Sequence, residues 1–207
     1  GIRRRLAPML GGDQRLIRLA FVVQFSLPGT PVIRYGEEIG MGDDLSLQQR
    51  DSIRTPMQWA NVPQGGFTTG EKAVRPVIAE GDYGYPSVNV LDQQRDPESL
   101  VSWFARVLPV LRETPEFGVG TCTVLDAKSD EVLALRYDCP TGSVLAVLNL
   151  GTERSTVDLS AQVDTGGPAV FDVLSDRDYT GTPDDLSAVE VDGTGYRWIR
   201  LSRKPAP

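Results

Sequence analysis

The hydrophobic period of this chain changes near residues 113–120, and that change constrains the fold more than any other feature. Before Thr114-Pro115 the apolar side chains recur at three and four residues; beyond it they alternate. The two periods belong to different elements, so a helical part must hand over to an all-β part. A chain of 207 residues has room for one or two domains. The boundary is placed accordingly, with residues 1–115 in one domain and 116–207 in another.

In the first part, Leu16, Leu19, Ala20, Val23 and Leu27 predict a helix widened by Ile17, Phe21, Val22 and Phe25, capped by Asp13 and stopped by Pro28-Gly29. Pro31 to Tyr35 is a short apolar run flanked by Gly and Pro, which fits a fully buried parallel strand. Helix followed by such a strand is one step of an α/β barrel. Residues 40–95 then form a long excursion rich in Gly, Pro, Asp and Gln. A loop of that length in a compact domain points to function, and in a barrel it lies at the face that carries the active site. Asp96-Pro97-Glu98 announces the next helix, whose apolar face is Leu100, Trp103, Phe104, Val107, Leu108 and Leu111. Pro109 within it predicts a kink or an early end.

The second part reads as strands at Thr121–Ala127, Glu131–Asp138, Ser143–Leu150, Ser155–Leu159, Ala169–Leu174, Ala188–Val191 and Tyr196–Ser202. Val144, Ala146, Leu148 and Leu150 make one face of the third and Leu145 and Val147 the other, so that strand should be central. Short strands at regular spacing predict an antiparallel sandwich.

Composition removes several function classes. The formal net charge is −7, against which a phosphate-tracking surface would have to work, so nucleic acid is not expected as a partner. Arg3-Arg4-Arg5 is the one basic run and reads as a solvated turn of helix. No stretch approaches about 20 consecutive apolar residues, so no membrane partner is expected either. There is no histidine, and of the two cysteines, Cys122 and Cys139, a hairpin turning near residue 129 would place Cys122 opposite residues near 136. The thiols are therefore expected free, as in a reducing cytosol, and a zinc site has almost no ligands. No metal and no cofactor are expected.

Several residues could carry chemistry. Arg54 offers a planar fork of donors suited to two adjacent sugar hydroxyls, or to a salt bridge that pins the loop. Glu37 and Glu38 invite an acid/base reading that fails on geometry. A retaining glycosidase sets two carboxyl groups about 5 to 5.5 Å apart across one sugar bond, whereas consecutive residues project apart. They are assigned to loop support. Asp43-Asp44 lacks the alternating pattern of a calcium loop and reads as a solvated acidic turn. Gln58 fits loop support through its amide, and Trp59 fits packing or a sugar platform.

The run PGTPVIRYGEEIGMGDDLSLQQRDSIRTPMQW, residues 28–59, resembles the last strand and loop of the catalytic barrel of glycoside hydrolase family 13, in the branch of trehalose synthases and oligo-α-glucosidases. Gly65-Gly66-Phe67, Tyr83-Gly84-Tyr85 with Val88-Asn89-Val90, Gln94 to Leu100, and Gly195-Tyr196-Arg197-Trp198-Ile199-Arg200-Leu201 resemble further words of that branch. Pro109, and Ser102 where asparagine usually stands, depart from it. The resemblance implies α/β plus all-β architecture: the last αβ units of a TIM (β/α)8 barrel, then a β-sandwich. It implies that Arg54 reaches the glucose at the cleavage site and that Phe67 lines the pocket mouth. It also implies that the three catalytic carboxylates lie on other strands, so no residue here is catalytic. The expected partners are an α-glucoside such as maltose or trehalose and the upstream barrel part of the same enzyme, and the chain alone is expected to be inactive. The competing expectation is a non-catalytic carbohydrate-binding or interaction module that stacks sugars on Trp59, Tyr83 and Tyr85.

Overall fold

A computed structural model describes residues 2–140, 142–163, 170–179 and 186–201. Its helices are α1 (Leu6–Met9), α2 (Gln14–Ser26), α3 (Val90–Gln93), α4 (Leu100–Arg112) and α5 (Glu116–Val119). Its strands are β1 (Thr121–Leu125), β2 (Val132–Cys139), β3 (Gly142–Asn149), β4 (Ser155–Val157), β5 (Val170–Ser175), β6 (Val189–Val191) and β7 (Tyr196–Leu201). By packing, the chain forms two compact units. One joins the residues up to Ile17 to Val32–Arg106, and the other joins Arg18–Pro31 to the residues from Val107 onward. This division follows packing, whereas the 115/116 boundary follows the change of period, so the two answer different questions.

In the second unit β1, β2, β3, β7 and β5 pair in that order as one antiparallel sheet, and β4 pairs with β6 in a small one. Leu145, Val147, Ile199 and Leu201 of the large sheet share one apolar cluster with Val157, Val189 and Val191 of the small sheet. Alternation explains this arrangement, since side chains two apart on a strand share a face. On β3 the run Val144 to Leu148 is buried on both faces, as a central strand requires. Tyr137 and Trp198 are also buried, with the Phe117 ring 5.0 and 4.7 Å from theirs. Their polar tips find Ser26: the Tyr137 hydroxyl donates to its carbonyl at 2.7 Å and Trp198 Nε1 to its Oγ at 2.8 Å. A buried phenol or indole needs such a partner.

Cys122 lies opposite Tyr137 and Cys139 opposite Gly142, and neither is in a disulfide. Of the expected strands, the ends at Ala169 and Ser202 lie outside the described residues.

In the first unit Ile39, Met41 and Met57 form a small buried cluster flanked by Val88, Val90 and Val101. The expected helix after Asp13 is α2, and Asp13 Oδ1 accepts the Arg15 amide at 2.8 Å as an N-cap does. No helix among the described residues is long and apolar enough to cross a membrane.

Four expectations need correction. Pro31 to Tyr35 is not a strand: residues 31–34 have no regular structure, Tyr35-Gly36 is a turn, and Val32 is 74% exposed. A parallel strand needs neighbours on the same sheet, and every strand pair among the described residues is antiparallel and lies beyond residue 120. Among the described residues no barrel closes. The helix after Asp96 starts later, at Leu100, because Ser99 Oγ takes the Ser102 amide at 3.1 Å while Asp96 Oδ1 takes that of Glu98 at 2.8 Å in the preceding turn. Of the kink or early end expected at Pro109, the early end does not occur, since α4 runs on to Arg112. Pro109 and Ala105, whose carbonyl loses its donor, are both exposed, so water can take the freed acceptor. The arginine run is not a solvated helix turn: it precedes α1 in non-helical backbone, and Arg5 is 1% exposed.

Candidate functional site

Arg54 ends the 3-10 helix Gln49–Ile53, with its amide donating to the Asp51 carbonyl at 3.0 Å. The backbone is fastened on both sides of it. Before it, the Ile53 carbonyl accepts Nη2 of Arg5 and Nη2 of Arg34, each at 3.1 Å. After it, the Met57 amide donates to the Tyr35 hydroxyl at 2.7 Å, and Met57 is buried against Ile39 and Met41. The Arg54 side chain itself is 51% exposed and meets Asp51 loosely, at 3.8 Å. A rigid backbone thus holds out a largely uncommitted guanidinium.

Gln58 is fully buried and fastens a distant segment. Its Nε2 donates to the carbonyls of Tyr83 (3.0 Å) and Val88, and its own carbonyl accepts the Val90 amide at 2.9 Å. Asn89, also buried, caps α3 by accepting the Asp92 amide at 2.9 Å. In this way the word Arg54 to Trp59 and the YGYPSVNV segment form one piece. Gln58 Oε1 and Thr55 Oγ1 are buried without a hydrogen-bond partner among the described residues.

Behind the loop sits a buried ion pair. Arg5 Nη1 donates to the Tyr35 carbonyl at 2.8 Å and meets Glu37 Oε1 at 3.4 Å, while Glu37 Oε2 accepts the Leu6 amide at 3.2 Å. Burial pushes the Glu37 carboxyl up, a shift that Arg5 opposes; burial pushes the Arg5 guanidinium down, a shift that Glu37 opposes. Desolvation dominates for both partners, as expected of a pair this deep. Both Glu37 oxygens are engaged, so it acts as a strut. Glu38 differs, with Oε2 buried and unpartnered among the described residues. Gly36 permits the packing, since at φ 86° any Cβ would stand 2.4 Å from Met41 Sδ.

Trp59 and Phe67 are 47% and 46% exposed. They lie on the next turn, where the Gly65 carbonyl accepts the Trp59 amide at 2.7 Å. Phe67 lines a shallow hollow with Val62, Pro63 and residues 68–70. Arg54 lines a different one with Arg3 and residues 48–51, and Trp59 lines neither. Arg54 and Phe67 thus line separate hollows. Asp43 holds the N-terminal segment, accepting Arg4 Nε at 3.0 Å and the Arg5 amide at 2.9 Å. No group of three His, Cys, Asp or Glu residues among those described could hold a metal ion. Arg5, Arg34 and Tyr35 are the residues that sequence reasoning missed. Their partners lie 19 to 48 positions away, so no local pattern marks them.

Residues 3–117 match the family model of the alpha-amylase catalytic domain, and the chain belongs to the alpha-amylase family, glycoside hydrolase family 13. Its relatives include the trehalose synthase of Pimelobacter sp., 36% identical over 98% of this chain and 36% of that protein. They also include the trehalose synthase/amylase of Mycolicibacterium smegmatis, 36% identical over 100% of this chain and 36% of that protein. The chain therefore spans about a third of the length of these relatives. Among solved structures, trehalose-6-phosphate hydrolase of Bacillus licheniformis superposes with a TM-score of 0.76 at 20% identity, covering 97% of this chain and 41% of the other. The alpha-amylase from H. orenii superposes at 0.74 with 22% identity, covering 97% and 38%. The fold is thus that of part of an alpha-amylase-type chain, with helices and an antiparallel sheet.

Proposed function

We propose that this chain is the C-terminal part of a retaining α-glucoside-active enzyme of the trehalose synthase or α-glucosidase kind, and that it supplies the rim of the glucose pocket. The observation that carries the reading is Arg54, a guanidinium held out by a loop fastened at residues 53 and 57, in a chain 36% identical to trehalose synthases along nearly its whole length. In this reading Arg54 grips two adjacent hydroxyls of a glucose unit, Trp59 and Phe67 line the approach, and Glu37, Glu38 and Gln58 support the loop. The nucleophile and the acid/base belong to a barrel portion outside these residues. A glucosyl unit passes to a carboxylate there, and then to water or to another hydroxyl of glucose.

The test is reconstitution. The 207 residues alone should not turn over maltose, whereas the chain supplied with that barrel portion should, and Arg54→Gln should lower kcat/KM of the assembly at least ~100-fold. Robust turnover by the chain alone would refute the reading. A non-catalytic module is the second reading, favoured by Trp59, which is 47% exposed and open to stack a sugar. Submillimolar maltose or trehalose binding by the isolated chain, lost when Tyr83 or Tyr85 is changed, would favour it.

A further inference from the structure

Arg54 does not stand alone. An open depression of about 650 Å³ is lined by Arg3, Gln48, Gln49, Arg50, Asp51 and Arg54, so three guanidiniums and two amides surround one carboxylate. That carboxylate is already claimed, since Asp51 Oδ1 takes Arg75 Nη2 at 3.0 Å and Arg54 Nη1 at 3.8 Å. Arg3 is oriented by donating Nη2 to the carbonyls of Leu45 and Leu47, at 3.0 and 3.2 Å, which leaves its other nitrogens for a ligand. Among the described residues no ion pair engages Arg50.

Within a chain of net charge −7 this concentration of positive charge is local. Three guanidiniums around one hollow repel one another more than the single Asp51 carboxylate, shared with Arg75, can offset. Gln49 adds a second sign, because it holds φ 50°, in the left-handed region that non-glycine residues rarely adopt and that clusters at ligand clamps. We propose that this depression binds a phosphate monoester, whose oxygens match the planar forks of Arg3 and Arg50, and that the ester is borne by a sugar whose hydroxyls meet Arg54. The anion half stands on the arginines alone. The sugar half rests on the reading in which Arg54 meets a glucoside.

The experiment is calorimetric titration of the 207-residue chain with inorganic phosphate, glucose, maltose and glucose 6-phosphate, at low and at physiological ionic strength. Phosphate should bind saturably and weaken with salt, and glucose 6-phosphate should bind at least ~10-fold tighter than glucose. Arg50→Gln and Arg3→Gln should each weaken phosphate at least ~5-fold, while Lys72→Gln leaves it unchanged. Absence of saturable phosphate binding, or binding indifferent to Arg50→Gln, overturns the anion site and leaves the glucoside reading untouched. Phosphate binding through Arg50 with glucose 6-phosphate no tighter than inorganic phosphate leaves the anion site standing and overturns its sugar half, while the glucoside reading is decided separately by reconstitution with the barrel portion.

Discussion

At the scale of single residues, Arg5 and Glu37 decide whether Arg54 is presented at all. Arg5 joins Tyr35, Glu37 and Ile53 in one buried knot, and Ile53 is the residue before the presented guanidinium. Removing one partner of a buried pair strands the other charge, which costs about 3 kcal/mol or more. Glu37→Gln should therefore destabilise the first unit by that amount in denaturant unfolding, and a loss below about 1 kcal/mol would show that the pair is not a strut. Arg54 was legible in the sequence because it sits in a distinctive six-residue word. Arg5 was not, because three consecutive arginines look like a solvated run, and only the fold brings one of them to carbonyls 30 and 48 positions away.

At the scale of elements, the β-strands were readable because alternation is a local property, and each observed strand falls on an expected one to within a few residues. The run Pro31 to Tyr35 was misread because strand formation depends on neighbours, and apolar residues between Gly and Pro do not say whether a partner strand exists. Turn chemistry joins the small sheet to its surroundings. Asp192, just past β6, takes Arg154 Nε at 2.6 Å and is also paired by Arg177, while its amide donates to the Tyr179 hydroxyl at 3.0 Å. Burial alone would raise the Asp192 carboxyl, but the two arginines outweigh it and hold the carboxyl below its ordinary value. A depressed carboxylate contributes stability above its unfolded value, near pH 4, and loses it as the pH falls through the folded value. The melting temperature of the chain should accordingly exceed that of Asp192→Asn at about pH 6 and converge with it toward about pH 2. A difference that does not change across that range would contradict the assignment.

At the scale of the whole molecule, the chain is a member of the alpha-amylase family that spans about a third of its trehalose synthase relatives, and its described residues close no barrel. Resemblance carried the family from the run 28–59 and four shorter words, whereas spacing alone carried the helices, the strands and the change between them. The sugar-contacting role proposed for Arg54 was legible as a chemical capacity. Its fastening by Tyr35, Arg5 and Arg34 was not, and neither was the clustering of Arg3 and Arg50 beside it. The most direct measurement is a structure of the chain assembled with the proposed barrel portion and glucose. Arg54 should place two N–H groups within about 3.2 Å of adjacent glucose hydroxyls, with no carboxylate from these residues at the anomeric carbon. An Arg54 turned from the sugar and bound only to Asp51, or Glu37 or Glu38 at the anomeric carbon, would contradict the account.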